Sequence, residues 1–392
     1  MTRVSKPLSK SEADAFGREL DAIREAVVAD LGERDVAHIR KVMRLANASE
    51  ATGRVLLHVG FGPLTFVGGV TALSLAKILE NMEIGHNVMH GQYDWTRDPS
   101  LDSHRYDWDT VCTAEDWRHS HNFEHHTFTN IVGKDRDVGY GLLRVAAEQP
   151  WEPRFLAQPI SAALLALFFQ WGVGMHDLRV PDVIERKEPW GPFMERATPF
   201  FKKAGWQLFK DYAFYPALAL GNAPRVAFGN LLANGARNLW TFSVIFCGHF
   251  PEGVRVYTEE ETQNESRGEW YVRQLNGSAN IEGSATLHLL TGHLSHQIEH
   301  HLFPDIPAAR YPEMAASVRE ICERYGQTYN TGSFAKQLGS VAKRILRLSL
   351  PGPVVPAREV APPPPARAEE PARKTVRETV RDVVRTPTRR AA

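Results

Sequence analysis

Residues 117–130 read WRHSHNFEHHTFTN, and residues 294–304 read LSHQIEHHLFP. Both hold the form His-amide-apolar-Glu-His-His, first at His121-Asn122-Phe123-Glu124-His125-His126 and again 175 residues later at His296-Gln297-Ile298-Glu299-His300-His301. With 16 histidines in 392 residues, composition alone supplies a given His-x-x-x-His-His about 0.03 times. Two copies are therefore a signal. A third cluster, His86 and His90, sets two imidazoles one helical turn apart on one face, though composition alone supplies about 0.65 such pairs. Imidazole-rich sets without thiolate suit Fe, Zn, Cu or Ni, and these histidines outnumber the four ligands one zinc takes. They imply two metals in one site made by folding distant segments together. Iron is the metal of that group that activates oxygen for attack on unactivated carbon.

The clusters stand beside uncharged runs. Val55 to Ala76 is bracketed by Arg54 and Lys77, Phe155 to Met175 is a second run, and Val226 to Phe250 is a third, broken in charge by Arg237. Tyr212 to Leu220 is a shorter apolar piece ahead of the third. Each long run matches the roughly 20 residues that cross about 30 Å of hydrocarbon. This predicts an all-α integral membrane protein, with helical spans and a helical cap holding a histidine-rich di-metal site. Residues 1–54 read as a polar lead-in without a signal-peptide pattern, and residues 55–350 as the membrane domain. Residues 351–392 read as a disordered Pro/Ala/Arg-rich tail that cannot bury a core, whose stretch Ala372 to Arg385 is a charged segment with the pattern of a basic surface helix.

Composition excludes other classes. Lys plus Arg and Asp plus Glu both number 46, which gives no basis for a nucleic-acid partner. Cys112, Cys247 and Cys322 are too few and scattered for a disulfide framework or thiolate metal site. A metal transporter would set ionisable ligands within its spans, whereas most of these clusters fall beyond them.

His249 ends the third run, and on an α-helix Asn234, Asn238 and His249 lie within about 60° of one another. Polar groups on a membrane helix face partners or a cavity, which makes His249 a candidate ligand and Asn238 a candidate water holder. Glu124 and Glu299, each beside a His-His pair, are candidates to orient ligands by accepting an imidazole N–H, with solvent-facing carboxylates the equal alternative. His38, His58, His104, His176 and His288 are isolated and read as surface or packing residues. His119 and His293 border the clusters.

With NMEIGHNVMHGQYDW at residues 81–95 added to the two longer motifs, the chain resembles the membrane fatty acid desaturases, over roughly residues 50–345. The resemblance implies a mushroom-shaped helical membrane protein, sited in a bacterial cytoplasmic membrane, whose histidine boxes hold a di-iron centre facing the cytoplasm. That centre uses O2 and two electrons to remove two hydrogens from a fatty acyl chain, carried on CoA or a lipid. Carried over, the ligands are His86 and His90, then His121, His125 and His126, then Gln297, His300 and His301, with His249 outside the boxes. In animal acyl-CoA desaturases the ligand outside the boxes has Asn four residues before it, where this chain has Ile245. Gln297 resembles the front-end desaturases, which usually carry a fused cytochrome b domain with a His-Pro-Gly-Gly motif. That motif is absent here, as is a dinucleotide-binding Gly-x-Gly-x-x-Gly, and three cysteines cannot hold an iron–sulfur cluster that needs four thiolates. A separate electron donor, ferredoxin-like or a flavin/iron–sulfur reductase, is expected, along with contact to membrane lipid. The nearest rival is a hydroxylase of the same metal class.

Two ligands stay open by helical geometry. An ideal α-helix sets Gln297 centrally between His300 and His301, but sets Asn122 rather than His121 centrally in the second box. The resemblance favours His121 and Gln297, with His296 as the alternative. Topology is open as well. The chain must cross an even number of times between His126 and His296, and the seven basic residues of Asp177 to Lys210 lie outside if the second run crosses, against the positive-inside tendency. They stay cytoplasmic if that run dips and returns.

Overall fold

The first uncharged run is divided between two helices. In the computed structural model, which describes residues 5–184 and 186–352, the helix Glu33–Val59 stops inside that run and Gly62–Leu79 starts three residues later. The local sequence Gly60-Phe61-Gly62-Pro63 forces the reversal. A Cβ on Gly60 would meet the Leu56 carbonyl oxygen at 2.2 Å, and Gly62 adopts φ +76°, a region that costs glycine little. Pro63 then fills the first turn of the new helix, where its missing N–H is no loss. The two helices pack closely because their crossing is made of small residues. A Cβ on Gly53 would lie 2.8 Å from Leu73 N, and one on Gly69 would lie 2.9 Å from Leu57 Cγ.

A second hairpin follows the same plan. Trp190–Phe209 continues through a π-helical turn, Lys210–Phe214, into Tyr215–Leu218, and after Leu220–Asn222 the chain returns as Ala223–His249. The two reversals sit side by side. Asn222 Nδ2 donates to the His58 carbonyl at 2.6 Å, His58 Nε2 meets the Tyr215 carbonyl at 3.0 Å, and Arg225 Nη1 donates to the Gly62 carbonyl at 3.1 Å. Phe61, Leu64 and Leu220 project from this end, each at least 84% exposed. Between the helices lies an ionic layer. Lys77 Nζ is 3.2 Å from both Asp109 and Asp211, Arg54 is 3.7 Å from Asp211, and Asn234 donates to Asp211 at 2.8 Å.

The second uncharged run is no straight span. Its helix breaks at Phe168, with a bend of 98° between Pro153–Leu167 and Phe169–Asp177. The chain after the bend stays beside the histidine motifs, where His176 Nε2 is 3.2 Å from Asp137 and Arg179 pairs with Glu124. The bend has the geometry of a broken span or of a re-entrant segment. By length and apolar composition Gly62–Met89 qualifies as a membrane-crossing helix, and the bent pair qualifies only if taken together.

Opposite the hairpin tips lies a cap. Lys10–Val28, within the polar lead-in, packs on Arg267–Asn276 and Tyr311–Arg324 through Phe16, Leu20, Tyr271, Phe303, Tyr311 and Val318. Phe334–Ser349 lies across Gln158–Leu167 and Ala223–His249 through Val341 and Ile345. The strands among the described residues are one short parallel pair, Asn280–Glu282 with Thr331–Ser333. Most of the Pro/Ala-rich tail, residues 353–392, including the charged segment from Ala372 to Arg385, lies outside the described residues.

Candidate metal centre

Each histidine motif is delivered by an irregular piece of helix. The Gly62–Leu79 helix widens into a π-helical turn at Glu80–Gly85, which hands on to His86–Met89. The second motif starts in a π-helical segment, Arg118–His125, and ends in the α-helical turn His126–Phe128; ahead of it Thr113 caps Ala114–Trp117 by accepting the Asp116 N–H. Hydrogen bonds from i to i+5 widen each turn by about one residue, so His121, His125 and His126 face one side together. An α-helical construction, with its narrower turn, puts Asn122 there instead. The observed Asn122 turns away and donates to the Met89 carbonyl at 2.9 Å, which ties the second motif to the first. The third motif opens with a 3-10 turn, Leu294–His296, and continues as Gln297–Leu302.

Nitrogen atoms from these segments converge in two adjoining groups. His86, His90, His121 and His300 offer ligand atoms within 4.8 Å of one another, and so do His125, His249 and His301. His126 joins both sides. It groups with His300 and His301, and its ring stacks on His301 at a centroid distance of 4.5 Å. Gln297 reaches the second group, with its side-chain amide 3.0 Å from His249 Nε2 and its Oε1 without a partner. Gly248 makes that approach possible, since a Cβ there would lie 2.8 Å from Gln297 Cγ. His296 belongs to neither group. Its ring lies 4.8 Å from that of His288. Asn238 is also outside, donating to the Leu167 carbonyl at 2.8 Å and accepting from Arg237 at 3.2 Å.

The donor set fits metal ions. His86 Nε2 faces His300 Nε2 at 3.4 Å, and His301 Nε2 faces His249 Nε2 at 3.3 Å. Buried nitrogens on His90, His121, His125 and His126 have no protein partner, although buried polar atoms are nearly always paired. Burial holds the imidazoles of His126, His300 and His301 well below the usual histidine pKa. They are thus neutral and available as ligands.

Outer partners fix how these rings point. Asp135 accepts from His125 Nδ1 at 3.1 Å, Gln274 Oε1 stands 2.9 Å from His301 Nδ1, and the Tyr311 hydroxyl 3.3 Å from His300 Nδ1. Burial opposes charge on His125, but the Asp135 and Asp137 carboxylates together outweigh it and raise that pKa. Asp137 lies 3.7 Å from His121 Nδ1. Neither glutamate of the repeated motif takes this role. Glu124 pairs with Arg179, and Glu299 accepts from Asn280 at 2.8 Å and from Tyr329 at 2.7 Å. The sequence carried one signal for the true partners, the Asp135-Arg136-Asp137 run just after the second motif. Gln274 and Tyr311 had none. Glu83 forms a separate clamp, meeting His38 Nε2 at 2.7 Å and His293 Nδ1 at 2.8 Å, and so joins the helix of the first motif to the approach of the third.

A narrow cavity abuts the nitrogen groups. His86, His121, His125, His249 and Gln297 wall one part, and Trp108, Trp117, Phe169, Val173 and Ile245 wall much of the rest.

A family model described as fatty acid desaturase matches residues 61–333. The NADPH-dependent stearoyl-CoA 9-desaturase of Mycobacterium tuberculosis is 42% identical over 349 residues, covering 88% of this chain and 82% of the relative. The sn-1 linoleoyl-lipid 6-desaturase of Synechocystis is 27% identical over 290 residues, covering 69% of this chain and 77% of the relative. Human fatty acid desaturase 3 is 26% identical over 234 residues, 58% of this chain and 49% of the relative.

Proposed function

The chain belongs to the fatty acid desaturase family, an oxidoreductase family of lipid metabolism, and on that premise we propose that it introduces a double bond into a saturated acyl chain at a histidine-held pair of irons. The observation that carries this reading is the largely apolar cavity running up to imidazole nitrogens that lack protein partners. Two bound irons supply, with O2, the oxidising power that breaks two C–H bonds on neighbouring carbons. His86, His90, His121 and His300 would hold one iron, and His125, His249, His301 and Gln297 the other, with His126 adjoining both nitrogen groups. Asp135, Gln274 and Tyr311 engage the Nδ1 atoms of His125, His301 and His300 and so present the Nε2 atoms to the metals. Trp108, Trp117 and Phe250 keep water from the reacting carbons, and the cavity wall fixes which carbons those are.

Each turnover takes two electrons and two protons from the substrate and two of each from outside, converting O2 to two waters. The outside electrons come from a separate carrier, ferredoxin-like or a flavin/iron–sulfur reductase. Cys112, Cys247 and Cys322 are each buried and free. The M. tuberculosis relative's name makes a saturated C18 acyl-CoA the first substrate to try, with acyl lipid the alternative.

The two hairpins enter the bilayer tips first. Exposed apolar side chains run along Trp190–Phe209, at Trp190, Phe201, Trp206 and Phe209, and along the bent pair at Ile160, Leu164 and Phe168. Arg179, which pairs with Glu124, stays at the histidine end, which agrees with a cytoplasmic site.

The test is product analysis of membranes from a host expressing the chain, supplied with acyl-CoA, reductase and carrier. A product two mass units lighter supports the reading. A main product sixteen units heavier assigns a hydroxylase, and active protein that holds zinc but no iron overturns the di-iron site.

A further inference from the structure

Arg237 is a charge inside an otherwise uncharged run, and the chemistry at the irons makes no use of it. We infer that Arg237 and the polar groups it joins form the floor of the acyl cavity and limit how long a chain the enzyme accepts. The inference rests on the desaturase reading.

The cavity lining descends two neighbouring helices and stops at one level. On Ala223–His249 it passes from His249 through Ile245 and Thr241 to Asn238, and on the other helix from His86 through Met82 to Asn81. Thr241 Oγ1 donates to Asn81 Oδ1 at 2.8 Å, which sets these two residues at equal depth. Just below, Arg237 is 2% exposed and binds three walls together. Its Nη1 donates to the Asp109 carbonyl at 3.1 Å and its Nη2 to Asn238 Oδ1 at 3.2 Å. Asn238 in turn holds the Leu167 carbonyl at the helix break, at 2.8 Å. Beneath lies the ionic layer of Lys77, Asp109 and Asp211.

An alkyl chain cannot pass such a floor. A methylene that displaced Arg237 from its partners would leave buried polar groups unpaired and make no hydrogen bond in return. The end that meets the floor is the methyl end, because the other end carries a polar carrier too large and too hydrated to enter. Eleven residues separate His249 from Asn238, which at the rise of an α-helix is about 16 Å. The floor therefore bounds the number of carbons on the methyl side of the new double bond.

The test is a competition. Membranes holding wild-type chain or a variant, with carrier and reductase, receive an equimolar mixture of saturated acyl chains of fourteen to twenty carbons, and the ratio of unsaturated products is read within each mixture. Ratios cancel any loss of total activity. Thr241→Leu fills the space above the floor, and should lower the ratio of long to short products at least fivefold. Thr241→Ala and Arg237→Met open the space, and should raise it by a similar factor. If Arg237→Met does not fold, the opposed shifts of the two Thr241 variants still decide. Wild-type ratios in every variant that yields product would overturn the floor while leaving the desaturase reading intact. Absence of unsaturated product from the wild type at every chain length would overturn that reading, and the floor with it.

Discussion

Asp135 accepts the outward N–H of His125, and its removal isolates the role of a ring's second nitrogen. Asp135→Ala should cost roughly 10–100-fold in activity or metal affinity, the usual penalty for losing an outer partner, checked by elemental analysis alongside turnover. The choice between Gln297 and His296 is tested the same way. Gln297→Ala should lower bound iron, whereas His296→Ala, beside His288 and away from the nitrogen groups, should leave metal content as in the wild type. At this scale the sequence was informative where chemistry repeats. His125, His126, His300 and His301 were marked by their doubled pattern. It was mute where a partner is a lone polar residue, as with Gln274 and Tyr311, because nothing in their neighbourhood announces a contact made across the fold. Glu124 and Glu299 misled for the opposite reason: adjacency in the chain is not adjacency to the ring it precedes.

The π-helical turns are what residue periodicity could not supply. At α-helical spacing His121 points away from the partners of His125 and His126, and the Arg118–His125 segment corrects this by widening the turn. No residue pattern specifies that widening, so it had to be seen. Helix boundaries suffered similarly. An uncharged stretch was legible from Val55 onward, but hydropathy has no term for a reversal, and the two glycines and Pro63 that force one lie within its first half. The hairpin's close crossing gives a stability prediction. Gly69→Val sets new carbon against Leu57, where even a Cβ would sit at 2.9 Å. Overpacking of this kind costs about 1–3 kcal/mol, visible as a lowered melting temperature in detergent.

At the scale of the whole molecule, the proposed ligands come from positions as far apart as His86 and His301, on segments that also bear the hairpin and cap. Metal bound there would act as a fastener for the entire cap. Removing it should lower the melting temperature, since ions bound only by the folded state stabilise it by mass action. A thermal scan of chelated protein, repeated after ferrous iron is restored, checks this. Deleting Lys10–Val28 should have a comparable effect, because Phe16 and Leu20 are buried in the cluster that backs Leu302 and Phe303. A polar lead-in was legible there, but its buried face was not, since a few apolar residues spaced along a charged helix resemble a solvated one until a partner is known.

The paired reversals at the far end bear on how the protein is made. Between Val55 and Ala76, and again between Tyr212 and Pro224, no side chain carries a charge, and Arg225 is the first to do so. Each hairpin tip can thus enter the bilayer during synthesis with no charge to carry ahead of its arms. Insertion should then proceed without help from the membrane potential. A short charged tag grafted into either turn would burden that step, and the damage would register as unintegrated protein cleared by quality-control proteases, ahead of any catalytic defect.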